Sequence, residues 1–167
     1  MTEIKESPWT KKEIYINLIT VIISMILASF MMILKSWILP LIYWFNWGIV
    51  FIVGRYLACR HCDFLGEKCP SWCLGIIGGL LYKRSDKKDF TETKKWKFFL
   101  DVFLIAFAII FPLIVYIFYF LIEGLFLFEW ILVIIYFLVG IGVFFIHSRS
   151  CNKCTVKGCP IGPKCNR

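Results

Sequence analysis

Four apolar runs, residues 14–34, 37–53, 98–122 and 130–146, constrain this chain more than any other feature. Each is long enough to carry a helix across about 30 Å of hydrocarbon, which takes roughly 20 residues. At 60% apolar and 19% aromatic, the composition is also too hydrophobic for a soluble domain of this length. The expected fold is an all-α integral membrane protein with four transmembrane helices arranged as two hairpins, each followed by a cytoplasmic four-cysteine loop. Basic residues precede the first run, as in a signal peptide. The run is longer than a signal h-region and no small-x-small site follows it, so it reads as an uncleaved anchor.

Charge sets the expected orientation. Of the 19 Lys and Arg residues, Lys35 alone falls on one side of the four runs; the other 18 flank them on the opposite side. By the positive-inside rule both termini and the central loop face the cytoplasm, in a multi-pass protein of the cell membrane. The net charge of +8 does not argue for nucleic acid, because the basic residues flank spans and are mixed with acids. The lipid bilayer is the expected partner.

All eight cysteines fall into two clusters. Cys59, Cys62, Cys69 and Cys73 lie within fifteen residues after the second run, and Cys151, Cys154, Cys159 and Cys165 follow the fourth. The spacings are C-x2-C-x6-C-P-x2-C and C-x2-C-x4-C-P-x4-C. A C-x2-C pair lets two sulfurs converge on one ion, and two further thiols complete a tetrahedral shell. Disulfides are the ordinary alternative, but a reducing cytoplasm disfavours them. Each cluster is therefore a candidate metal site. Structural zinc sites commonly use two tight knuckles and these clusters have one each, whereas Cys69-Pro70 and Cys159-Pro160 follow a habit of iron–sulfur runs. Iron–sulfur is favoured over zinc. Arg60, Lys68, Lys153, Lys157 and Lys164 would offset thiolate charge, or serve only as part of the positive-inside signal. His61 is a weaker candidate for replacing a thiol.

The second cluster, Cys154 to Cys159-Pro160 and then Gly162, resembles the C-x3-C-P-x-G motif of membrane-bound polyferredoxins of the nitrate and nitrous-oxide reduction systems. Those proteins also have four helices with cytoplasmic cysteine motifs. One residue is inserted here, the first cluster lacks the trailing glycine, and compact ferredoxin repeats are missing. The resemblance implies electron transfer.

Other residues carry narrower expectations. Residues 1–13 read as a mobile lead with Trp9 at the headgroup level. Ser24 and Ala28 share a helix face and are expected to pack on the second helix, a homodimer contact being the alternative. Lys35 should snorkel to the outer interface, and Glu123 and Glu129 should be solvated. Tyr43, Trp44 and Trp47 cluster about Asn46, which invites a quinone or haem pocket, although helix packing through Asn46 is the simpler reading. Residues 74–82 are too short to span and read as an interfacial segment or a lid over the first cluster. Asp101, a shallow acid, shares a helix face with Lys97. Gly140 and Gly142 should permit close packing.

The chain thus divides into 1–73, a hairpin with its cluster; 74–97, an interfacial segment and basic linker; and 98–167, a second hairpin with its cluster. Duplication as parallel repeats is one reading of that order. No nucleophile–base pair, phosphate loop or carboxylate pair appears, so an enzyme is disfavoured. The favoured function is an iron–sulfur relay between a soluble electron carrier and a membrane partner or larger membrane complex. A zinc-stabilised adaptor subunit is the alternative, and a thiol-based metal or redox sensor the third option.

Overall fold

The first helix starts earlier than the apolar run because a polar device starts it. Thr10 Oγ1 accepts from the Glu13 amide at 3.3 Å, and Glu13 Oε2 accepts from the Thr10 amide at 3.0 Å. This reciprocal capping box satisfies two otherwise orphaned donors and opens helix α1, Lys11–Ile33. The computed structural model describes residues 8–57, 59–62, 64–69, 74–83 and 95–153, among which there is no strand. After α1 come α2 (Ile38–Ile49), a π-helical segment (Val50–Gly54), the short α3 (Arg55–Leu57), a 3-10 turn (Cys59–His61), α4 (Leu74–Leu81), α5 (Lys95–Glu123) and α6 (Leu127–Cys151).

Four helical stretches are long and apolar enough to cross a membrane: Lys11–Ile33, Ile38–His61, Phe99–Glu123 and Leu127–Cys151. Their outward surfaces suit lipid. Ile26, Phe45, Phe99, Leu121 and Phe144 are all largely exposed, and an apolar surface of that extent is not tolerated in water. The core is built of Ala28, Met31, Met32, Tyr43, Trp47, Val50, Tyr116 and Tyr136. Two tyrosines bond across helices to backbone carbonyls, Tyr116 to Met31 O at 2.8 Å and Tyr136 to Ile109 O at 2.7 Å. Pro40 sits in the first turn of α2, where its missing N–H costs nothing.

Helix α1 packs more extensively on α6 than on its sequence neighbour α2, whereas α5 and α6 touch only slightly. The α1–α6 pair is pinned at both ends. At one end Asn17 Nδ2 donates to Ser150 Oγ at 2.9 Å, and Glu13 pairs with Lys153. At the other, Lys35 Nζ lies 2.5 Å from Glu129 Oε1, with both side chains less than a tenth exposed. Glu129 is therefore buried rather than solvated, and Lys35 turns inward over the rings of Tyr116 and Tyr119 instead of snorkelling. The physical reason is mutual: each charge removes the reason for the other to seek water. Glu123, by contrast, is exposed as expected.

Other packing expectations also shift. Ser24 and Ala28 are buried, and the Ser24 hydroxyl adjoins Tyr136 of α6, so this small-residue face meets α6. A β-carbon at Gly140 or Gly142 would meet nothing within 4 Å among the described residues, so neither glycine serves a close approach. Tyr43 and Trp47 fill the core edge-to-face with centroids 6.3 Å apart, while the exposed Trp44 donates to Ser29 Oγ at 3.0 Å. Tyr43 and Trp47 are thus packing residues of the core. Asn46 does not supply the contact through its amide nitrogen, which is buried with no hydrogen-bond partner among the described residues.

Asp101, two residues inside the Phe99–Glu123 span, is packed against the π-helical segment. It is 4% exposed, and its Oδ1 occupies the space beside Gly54, where a β-carbon would come within 2.2 Å of it. Gly54 closes the π-helical segment, and the missing side chain there is what admits the carboxylate between α5 and that segment.

Candidate functional site

The first cysteine segment hangs from the end of the second span as a series of tight turns. Cys59–His61 forms a 3-10 turn, and Cys62 N, Leu65 N and Glu67 N each donate to the carbonyl three residues back, at 3.0, 3.2 and 3.0 Å. Gly66 turns the chain with φ near +90°, a conformation that favours glycine, and its amide donates to Gly75 O of α4 at 2.8 Å.

Helix α4 lies directly on this loop, and glycine makes that possible. Gly75, Gly78 and Gly79 fall on one helix face by their spacing. A β-carbon at Gly75 would come within 2.5 Å of Glu67 O, and one at Gly79 within 2.5 Å of the Gly66 α-carbon. Both obstacles are backbone, so no side-chain movement relieves them. The same face borders two thiols: positions for absent β-carbons lie 3.7 Å from Cys59 Sγ at Gly78 and 3.3 Å from Cys69 Sγ at Gly75. Tyr82 OH bonds Ile52 O at 3.1 Å and Arg60 Nε bonds Lys83 O at 3.3 Å, which fastens the far end of α4 to the end of the second span.

Cys69 Sγ accepts a hydrogen bond from the Gly75 amide at 3.3 Å. That amide belongs to the first turn of α4, whose N–H groups have no partner within the helix.

Trp9 connects this loop to the second cysteine segment. Its ring meets Phe64 edge-on at 4.9 Å, in a cluster with Ile14 against which Cys62 and Cys69 pack. Its indole N–H donates to Ser150 O at 2.9 Å, and the next residue is Cys151. Trp9 is thus 6% exposed and wedged between segments. Cys151 ends α6, its Sγ 3.5 Å from His147 Nε2 one turn earlier.

Of the eight candidate ligands, Cys59, Cys62, Cys69 and Cys151 are thereby placed at one end of the bundle; Cys73, Cys154, Cys159 and Cys165 lie outside the described residues. Among the described residues no three His, Cys, Asp or Glu side chains gather as a group able to hold a metal ion. His61 follows Cys59 in the 3-10 turn and is half-buried. Three features were not anticipated: Trp9 as a wedge, the glycine face of α4, and His147. Their signals were the Thr10-x2-Glu13 capping box, glycines at i, i+3 and i+4, and a histidine four residues before a cysteine.

No family model, no curated protein and no solved structure matches this chain. The polyferredoxin resemblance accordingly rests on cysteine spacing and helix count.

Proposed function

We propose that this chain is a multi-pass protein of the cell membrane that holds two metal centres beneath the cytoplasmic face and relays electrons between a soluble carrier and a membrane partner. The observation that carries the reading is the Trp9 bridge: one side chain packs in the cluster with Cys62 and Cys69 and bonds the carbonyl beside Cys151. Cys62 and Cys69 of the first segment and Cys151 of the second are thereby joined through one side chain although some 80 residues separate them in sequence, which suits two centres that exchange electrons.

Iron–sulfur centres supply one-electron reduction and reoxidation when bound. The donor set fits them: thiols in C-x2-C pairs, each cluster with a Cys-Pro step. The chain's own residues hold the thiolates, and the Gly75 amide at Cys69 Sγ places a hydrogen bond where it bears on the reduction potential. Arg60, next to Cys59 in the sequence, offsets thiolate charge, whereas Lys153 is already paired with Glu13.

One feature favours zinc in a structural or adaptor role instead. Helix α4 is clamped on the cysteine loop through backbone contacts at Gly75 and Gly79, the kind of closed arrangement that a structural ion stabilises. Anaerobic purification of the full chain in detergent separates the two. Electron relay predicts stoichiometric iron and acid-labile sulfide with a brown chromophore bleached by reductant. Colourless protein carrying about two zinc ions contradicts it.

A further inference from the structure

The second span ends on a cation that no carboxylate among the described residues neutralises. Arg60 lies one residue before the end of the Ile38–His61 span and is half-buried. Its guanidinium carbon is 4.7 Å from the centroid of the Tyr56 ring, one turn earlier. Its Nε donates to Lys83 O at 3.3 Å, while its terminal nitrogens bond nothing among the described residues. The ring and the carbonyl fix the guanidinium in place. They leave the free edge of a planar fork, which matches two oxygens of a phosphate. Lys83, exposed and likewise without a carboxylate partner among the described residues, brings a second positive charge beside it.

The surroundings of this fork suit the boundary between lipid and water. Tyr82 meets Tyr56 edge-on at 5.4 Å, and its hydroxyl bonds Ile52 O at 3.1 Å. The end of α4 is thereby held beside the last turns of the second span. Leu80 is 82% exposed there, and Ile52, Tyr56 and Leu81 are exposed with it. An apolar surface that runs from a span onto a short helix suits acyl chains, and tyrosines suit the headgroup layer. Basic side chains at that level reach lipid phosphates.

We propose that Arg60 and Lys83 form a binding site for the headgroup of an anionic phospholipid, whose acyl chains run along Leu80 and Ile52. Arg60 grips the phosphodiester through its terminal nitrogens, with Tyr56 behind the guanidinium. Two cations select a net negative headgroup over a zwitterionic one, whose own ammonium they repel. The lipid ties α4 to the second span where Arg60 and Lys83 already meet, at the start of the first cysteine segment. The inference holds whatever the cysteines bind.

The test is native mass spectrometry of the full-length protein in neutral detergent, with phosphatidylglycerol and phosphatidylcholine of the same chains offered together. Comparison is among the wild type, Arg60→Gln, Arg60→Lys, Lys83→Gln and Lys11→Gln, with helicity and elution volume as folding checks. Lys11→Gln removes one exposed charge at the start of α1. The first lipid bound to the wild type is expected to be phosphatidylglycerol by at least about 5-fold, the contribution of one basic residue near an anionic surface. Arg60→Gln should abolish that preference, and Arg60→Lys should keep part of it, as a point charge in place of a fork would. Lys83→Gln should lower it with helicity unchanged, because the Lys83 side chain makes no hydrogen bond or ion pair among the described residues; this arm decides the matter if Arg60→Gln misfolds. Lys11→Gln should leave the preference intact. If it lowers the preference as far as the Arg60 and Lys83 changes do, the effect is collective positive charge and the proposal falls. It falls equally if the wild type shows no preference, or if inorganic phosphate displaces the lipid.

Discussion

Glu129→Ala is expected to lower the unfolding free energy of the detergent-solubilised protein by about 3 kcal/mol, at the low end of the range for breaking a buried ion pair because the site lies at the bundle's edge. The loss exceeds that of an exposed pair because Lys35 would remain less than a tenth exposed, over the rings of Tyr116 and Tyr119, with its counter-charge gone. Glu129 has a second task. Its Oε2 accepts from the Phe126 amide at 3.0 Å, holding the start of α6. Removing both charges together as Lys35→Met with Glu129→Leu should cost much less, since the pair then leaves no uncompensated ion. Equilibrium unfolding of the three chains checks this, and equal destabilisation by the single and double changes contradicts the account.

Trp9→Ala is expected to be comparably severe, about 3–5 kcal/mol, the usual cost of emptying a buried aromatic site. The consequence for the cysteines is more specific. Trp9 packs with Phe64, Cys62 and Cys69 and bonds the Ser150 carbonyl, so its loss should loosen both segments at once. Maleimide reaction rates of Cys62, Cys69 and Cys151 in chelator-treated protein should rise together, whereas Trp9→Phe should retain much of the packing and lose only the bond to Ser150. Faster reaction at one segment alone would show that Trp9 does not couple them.

What the sequence made legible is the part governed by local, additive physics. Apolar length announced the four spans, and Lys35-Ser36 announced a tight turn, closed by Ser36 N on Met32 O at 3.0 Å. Only some boundaries moved, as where Thr10 and Glu13 start α1 ahead of its apolar run. Pairing between distant elements was not legible. Glu129 reads as a solvated turn residue until Lys35 is found opposite it, and the packing of Asp101 is hidden until Gly54 is seen to make room for it. Glycine shows the same division. Gly75 and Gly79 matter because backbone lies against them, while Gly140 and Gly142, in an equally suggestive pattern, face nothing within 4 Å among the described residues. Spacing supplied the cysteine candidates, and the contact of His147 with Cys151 follows because helix α6 continues through Cys151.

The central claim is that both cysteine segments lie on one side of the membrane, at the end of the bundle opposite the Lys35–Glu129 pair. A membrane-impermeant maleimide, applied to chelator-treated sealed vesicles of each orientation, tests it directly. The reporter for the opposite end is Phe126→Cys, in the α5–α6 turn, where Phe126 is 80% exposed. Peptide mapping is predicted to find the Cys69 and Cys151 peptides labelled from the same single orientation and the residue-126 peptide labelled only from the other. Labelling of Cys69 and Cys151 from opposite orientations would contradict the account.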